Sequence, residues 1–329
     1  MKTKIRRIFS ILMLVILILA LVTLTAGAIA KSNLAKQYPA PGQLVDVGRY
    51  KLHINCMGQG SPTVILEAGL GNYSLYWAHV QPEVARFTRV CSYDRAGYGW
   101  SEPSPYPRTA IVEVEELHTL LVTANVEGPY IMVGHSMGGM LVRVYANNYP
   151  DEVVGMVLVD SLHEERFIRN PELTKLNQDS AGQFRMFALL SSTGMLALAP
   201  QTISNPGLPA DAFAQYQAIT ATTEGGETFL AEMNAMEESS AEVHALKITS
   251  FGNLPLIVLS AGRWDAISLL SDAKNQKIWK ELQVEQSELV ALSSDSKQII
   301  AKQSGHFIQL DQPDLVIDAI REMVDAIRK

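Results

Sequence analysis

Cysteine is scarce in this chain of 329 residues, which holds only Cys56 and Cys91. Two thiols so placed build neither a disulfide scaffold nor the Cys/His spacing of a metal centre. Positive charge is short as well: 27 Lys and Arg face 34 Asp and Glu, a formal net charge of −7. Lys2, Lys4, Arg6 and Arg7 are the only charged residues before position 31, so the rest of the chain is more acidic still. A body of that sign repels phosphate backbones, which excludes nucleic acid as a partner. Internal repeats and low-complexity tracts are absent. With 47% hydrophobic and 19% charged residues, the composition is not that of a disordered chain.

What the first 30 residues lack in acid they have in aliphatics. Behind the basic cluster, residues 8–24 form an almost unbroken apolar run. Basic residues before such a run hold the N-terminus in the cytoplasm and send the rest of the chain outward. The run exceeds the roughly 7–15 residues of a signal-peptide core and approaches the ~20 that cross a bilayer. Residues 1–30 are therefore predicted to be an apolar helix acting as a signal anchor, a partner of the membrane. Ala28-Ile29-Ala30 fits a cleavage site, so secretion after cleavage near Ala30 is the alternative. No cysteine lies near the leader, which excludes lipoprotein attachment. Residues 31–43 read as a short polar linker, and the folded body follows outside the membrane.

Residues 44–47 and 52–55 alternate around Gly48-Arg49 and predict a β-hairpin. Short apolar runs at 63–66, 89–93, 130–133, 153–159 and 254–260 predict strands, with a weaker one at 298–301. Between them the spacing predicts helices over 76–85, 111–125, 137–148 and 270–282. A final amphipathic helix starts near Pro313. Strands alternating with helices imply an α/β fold, a mostly parallel sheet covered on both faces. Residues 162–252 break the rhythm with helical patches and no convincing strand. So long an interruption is predicted to be an inserted helical cap on a core of residues 44–161 and 253–329.

Gly134-His135-Ser136-Met137-Gly138-Gly139 falls between one of those strands and the next helix. A G-x-S-x-G in that setting makes a sharp turn that lifts the Ser136 hydroxyl above the carboxyl edge of the sheet. Serine needs a base to take its proton. His306, in Ser304-Gly305-His306-Phe307 after the last strand, has the chain position for that base. His135 is directed elsewhere by so tight a turn. The acid that orients the imidazole is Asp265, just beyond the 254–260 strand, with Asp160 at the end of the 153–159 strand as the alternative. Developing negative charge on a substrate oxygen needs donors. These are the backbone N–H of Met137 and one from the turn after the 63–66 strand, at Gly69 or Leu70.

Glu67-Ala68-Gly69-Leu70-Gly71, Asp94-Arg95-Ala96-Gly97-Tyr98-Gly99-Trp100-Ser101, the Ser136 turn and Ser304-Gly305-His306 occur in the order seen in the α/β-hydrolase superfamily. Over about residues 44–325 the sequence resembles its cap-bearing, serine-nucleophile branch of lipases, esterases and peptidases. The resemblance implies an eight-stranded, mostly parallel sheet and a Ser136–His306–Asp265 triad. It implies hydrolysis of a small-molecule ester or amide through an acyl-enzyme, with no metal or organic cofactor. Serine at position 136 argues against the haloalkane dehalogenase and epoxide hydrolase branches, which use aspartate. Many members carry His-Gly where this chain has Glu67-Ala68, and a glutamate buried there is expected to tie the Asp94–Gly99 turn.

Phe184, Met186, Phe187, Met195, Leu196, Met233 and Met236 of the cap are candidates for an apolar acyl pocket, with packing within the cap as the alternative. Glu224, Glu227, Glu232, Glu237 and Glu238 offer an amine site if the chain is instead an aminopeptidase or amidase. A non-catalytic binding protein or an acyltransferase of the same fold are further alternatives. Cys56 and Cys91 fall on strands that neighbour each other in the superfamily. The resemblance leaves either a cross-strand disulfide or two buried thiols, and export permits oxidation.

Overall fold

The computed structural model describes residues 2–223 and 225–329. A long helix α1 (Lys2–Gln37) leads into strands β1 (Gln43–Asp46), β2 (Lys51–Met57) and β3 (Thr63–Glu67). A short α2 (Gln81–Val84), β4 (Val90–Tyr93), α3 (Ala110–Thr123), β5 (Tyr130–His135), α4 (Met137–Asn148) and β6 (Val153–Val159) follow. The chain then runs through α5 (Arg166–Arg169), α6 (Pro171–Ser192), α7 (Ala210–Thr222) and α8 (Gly225–Ala245). It returns by β7 (Leu256–Ala261), α9 (Asp272–Val290), β8 (Ser296–Ala301), α10 (Ile308–Asp311) and α11 (Pro313–Ile327). The eight strands make one sheet in the order β1-β2-β4-β3-β5-β6-β7-β8. The β1–β2 and β2–β4 pairs are antiparallel and every other pair is parallel.

The central strands are apolar throughout because both of their faces are covered. Alternate residues of each strand enter opposite layers. Ile65, Met132, Leu158 and Val258 pack with Leu117, Leu120, Met140 and Leu289 from α3, α4 and α9. Their strand neighbours Leu66, Val133, Val157 and Leu259 pack with Val84 of α2 and with Ile317, Ile320 and Val324 of α11. The edge strand β8 carries Lys297 and Gln298 and is half open to solvent, which blunts it against pairing with another chain. All the helices inserted between β6 and β7 stand at the carboxyl end of the sheet's middle strands.

Three local readings change. The helix expected over 76–85 is a single 3-10 turn, Ser74–Trp77, followed by the one-turn α2. Residues 31–37 are not a polar stalk but the last two turns of α1, which is 36 residues long. Good helix formers such as Ala35 and Lys36 continue it. Thr23, Ala26, Gly27, Ala30, Lys31 and Leu34, spaced three and four apart, face the protein. The pairing left open for Cys56 and Cys91 is a disulfide, made where the two residues stand opposite each other across β2 and β4.

The chain after α1 is fastened by a fully buried pair, His53 Nδ1 donating to Asp94 Oδ2 at 2.7 Å. The other ring nitrogen of His53 meets the Pro41 carbonyl at 2.5 Å, and the Trp100 indole donates to the Tyr38 carbonyl at 3.0 Å. Asp94 also accepts the backbone N–H groups of Ser74 and Trp100. Burial alone would lower the His53 pKa, but the Asp94 charge and hydrogen bonds outweigh it and hold it above the ordinary imidazole value. Burial pushes the Asp94 carboxyl up, and His53 with the backbone donors brings it below the usual carboxylate range. A raised histidine stabilises fully below about pH 6.5, and that stabilisation fades as pH rises through the folded-state value. From about pH 6 to 9 the urea midpoint of the wild type should fall relative to that of a variant lacking the His53 imidazole, because His135 and His163, whose values burial depresses, act alike in both proteins. His53→Gln, which removes the titrating group, is that variant, and the gap between the two midpoints should close as pH rises.

Candidate active site

Strand β5 ends at His135, and helix α4 begins at Met137, so Ser136 alone makes the turn. Its φ of 54° and ψ of −121° lie in a region L-residues rarely adopt, a strain of about 1–3 kcal/mol. Neighbouring backbone holds it there: the Ser136 N–H donates to Val159, and its carbonyl accepts from Gly139 and Leu162. The flanking glycines are required by close approach. A Cβ on Gly134 would fall 2.4 Å from the Gly138 oxygen, and one on Gly138 would fall 2.5 Å from the Ala68 oxygen.

His306 lies between β8 and α10 with its side chain partly open to solvent. Its Nδ1 donates to Asp160 Oδ2 at 2.6 Å, which leaves Nε2 free to accept a proton. Asp160 directly follows β6 with a φ of 42°, and its other oxygen accepts the Ala261 N–H at 2.9 Å. Burial pushes the Asp160 carboxyl up, but the His306 hydrogen bond and charge and the Ala261 N–H hold it below the usual range.

The contact expected of Asp265 is therefore made by Asp160. Asp265 is exposed, and its Oδ2 reaches only the backbone N–H of His306, at 3.4 Å. The reason is topological. Strand β6 lies beside β5, with Val159 opposite His135, so its end is adjacent to the Ser136 turn. The loop beyond β7 leads outward, where Trp264 and Ile267 bond to Asn275 of α9.

Gly69 crosses immediately over the nucleophile turn. A Cβ there would lie 2.9 Å from His135 Nδ1 and 3.1 Å from Ser136 Cβ. Met137 opens α4, so its N–H has no intrahelical acceptor. His135 is buried, and its Nε2 donates to the His306 carbonyl at 2.9 Å. Burial and the nearby His306 ring drive its pKa down to about 3, so it stays neutral while bracing the His306 loop.

Arg95 is the residue whose importance the linear sequence hides. Its guanidinium is buried and donates to the Ala68 carbonyl at 2.7 Å and the Gly69 carbonyl at 2.9 Å. In a trans peptide the N–H opposes the C=O, so these two bonds fix the direction of the Gly69 and Leu70 N–H groups. Arg95 also binds Glu67 at 2.8 Å and, from the cap, Glu232 at 2.9 Å. Tyr93 donates its hydroxyl to Glu67, so the unusual glutamate ties the β3 turn to Arg95. Glu113 completes the cluster, 3.6 Å from Arg95 and 3.1 Å from Arg108. Burial raises the Glu232 pKa, but Arg95 outweighs this and keeps it ionised. Burial and the Glu232 charge push Glu113 well above the carboxylate range, so Glu113 carries the proton.

A cavity of about 550 Å³ opens between cap and core, lined by Leu70, Tyr73, Tyr76, Phe184, Phe187, Tyr216, Phe229 and Phe307 among others. Leu70 and Phe307, next in sequence to Gly69 and His306, belong to its lining, while Asp160 and His306 themselves line a second pocket of about 210 Å³ with Trp264 and Asp265. Of the pocket residues expected in the cap, only Phe184 and Phe187 line it. Met186 and Met195 are exposed, Leu196 is half-buried elsewhere, and Met233 and Met236 face a smaller pocket beside Phe167. Among the described residues of the acidic run, Glu232 is bound by Arg95 and Glu227, Glu237 and Glu238 are exposed; Glu224 lies outside the described residues. Glu232→Ala should lower unfolding stability by about 3–5 kcal/mol in urea, because a buried cation loses a partner. Glu232→Gln should cost less, since Glu113 can then ionise in its place.

The sequence matches a family model described as the alpha/beta hydrolase fold over residues 62–220. Among curated relatives, a segment of a Hormonema carpetanum protein described as a probable transporter, efuK, is 33% identical. That match covers 39% of this chain, and the chain spans only 20% of that relative's length. A thermophilic esterase from Thermogutta terrifontis superposes with a TM-score of 0.59 at 19% identity, covering 88% of this chain and all of that one. The epoxide hydrolase CorEH superposes with a TM-score of 0.55 at 18% identity, covering 87% and 98%. Likeness at that identity carries the fold alone. The sheet order, the family match and these superpositions agree: the chain has the α/β-hydrolase fold.

Proposed function

We propose that this protein is a serine hydrolase that cleaves carboxylic esters through an acyl-enzyme. The observation that carries the reading is the 2.6 Å bond from His306 to Asp160 beside a serine held in a strained strand-to-helix turn. In this reading Ser136 Oγ attacks the carbonyl carbon of the ester, and His306 Nε2 takes its proton. Asp160 holds the Nδ1–H tautomer and stabilises the imidazolium. The carbonyl oxygen becomes an oxyanion held by the Met137 N–H and by the Gly69 or Leu70 N–H. His306 returns the proton to the departing alcohol. Water then attacks the acyl-enzyme, His306 takes its proton, and the acid is released as Ser136 recovers its hydrogen.

The aromatic cavity supports an apolar acyl group. An aminopeptidase would need a carboxylate to receive the substrate amine, and Glu232, the buried acid of the cap run, is already neutralised by Arg95. The apolar α1 and the Cys56–Cys91 disulfide both support a catalytic body outside the cytoplasmic membrane. Short p-nitrophenyl esters and aminoacyl anilides separate the ester and amide readings directly. With the better substrate, Asp160→Asn should reduce kcat by about 10⁴-fold, as loss of the orienting acid does in serine triads. Asp265→Asn should stay within about tenfold of wild type. The opposite ranking would return the role to Asp265.

A further inference from the structure

Helix α1 does not leave the protein at an arbitrary point. Side chains from Ile8 to Val22 are all exposed, and the apolar run over 8–24 is about 25 Å long at 1.5 Å per residue. With modest end effects that reaches across the roughly 30 Å hydrocarbon core of a bilayer. The helix is long and apolar enough to cross one, with a mean hydropathy of 3.0 over an 18-residue stretch. The protein-facing stripe begins at Thr23. Gly27 is buried against the cap, so close that a Cβ would fall 2.9 Å from the Gly194 oxygen. Below it α1 packs on α7 and on the one-turn segment Leu196–Leu198. The apolar run ends at Leu24, so Gly27 lies only about 5 Å beyond it, within the headgroup layer.

The cap is unusual at this place. Residues 186–210 contain no Asp, Glu, Lys or Arg, although 19% of the whole chain is charged. Leu189 and Leu198 are 54% and 44% exposed, and Met186, one helical turn before Leu189, is 57% exposed. Exposed apolar surface without charge, beside an emerging membrane helix, is the composition of an interfacial contact. The inner side of the same region, through Phe187 and the neighbouring Phe184, walls the 550 Å³ cavity.

We infer that the uncharged cap surface of residues 186–210 rests on the outer leaflet of the bilayer crossed by α1. The cavity behind it then receives acyl esters from the lipid phase. The second half of this inference rests on the ester-hydrolase reading; the first half stands on α1 and the cap alone.

The test uses the full chain reconstituted in phosphatidylcholine vesicles. Cys56 and Cys91 are joined, so a cysteine introduced at Leu198, Leu19 or Val122 is the one free thiol for a bimane label. Val122 is exposed at the end of α3, just before β5 begins and away from the cap. Lipids carrying nitroxide at the headgroup should quench Leu198→Cys by several-fold and leave Val122→Cys unchanged. Acyl-chain nitroxide should quench Leu19→Cys. Leu198 unquenched while Leu19 is quenched would overturn the seated cap, and Leu19 unquenched would remove α1 from the bilayer and the inference with it. In a second arm, Leu189→Asp/Leu198→Asp should slow hydrolysis of a vesicle-embedded long-chain ester about tenfold while soluble p-nitrophenyl acetate turns over as before. Equal rates on the embedded ester would overturn delivery from the lipid. Wild-type protein inert toward both esters would refute the hydrolase reading, leaving the quenching result to decide the surface.

Discussion

One buried guanidinium holds the site together. Arg95 draws the Ala68 and Gly69 carbonyls toward itself, and with them the turn that crosses over Ser136. The same group binds Glu67 at the end of β3 and Glu232 on the cap helix α8. A charge so buried is tolerable only while its partners stay in place. The geometry of the turn is thereby coupled to the seating of the cap. Asp94, the preceding residue, does related work on the other side, binding His53 and the backbone of the Ser74 and Trp100 segments. The Asp94–Arg95 pair thus connects the sheet, the turn beside the nucleophile, the cap and the chain emerging from α1.

Much of this arrangement is legible in the linear chain because it follows from local chemistry. Apolar runs such as those of β5 and β6 mark strands covered on both faces. Gly134 and Gly138 flank Ser136 because side chains there would collide with backbone. His306 is recognisable from its loop after the last strand. What is hidden depends on which strand ends are neighbours. Asp160 and Asp265 both follow apolar strands, and only the adjacency of β6 to β5 brings Asp160 to the imidazole. The Arg95–Glu232 bond joins residues 137 positions apart, and no periodicity announces it. The acidic run in α8 reads as a candidate amine site until the buried cation opposite Glu232 is seen. In the same way α1 reads as ending at the membrane, yet its last turns form a docked helix whose inward face is spaced three and four residues apart.

These features bear on function together. A strained serine, a histidine held in one tautomer and a turn with fixed N–H groups form a site prepared before substrate arrives, the condition for electrostatic stabilisation of an oxyanion. In the proposed reading the aromatic cavity receives the apolar acyl chain, and the proposed seating of the cap on the bilayer brings that cavity to the lipid surface.

Activation of Ser136 by the proposed His306–Asp160 pair can be read out by peptide mass mapping after reaction with a fluorophosphonate. A single phosphonyl adduct should appear on the peptide containing Ser136, form much more slowly in Asp160→Asn, and be missing from Ser136→Ala. Folded wild-type protein that remains unmodified, or carries its adduct on another residue, would rule out Ser136 as the nucleophile.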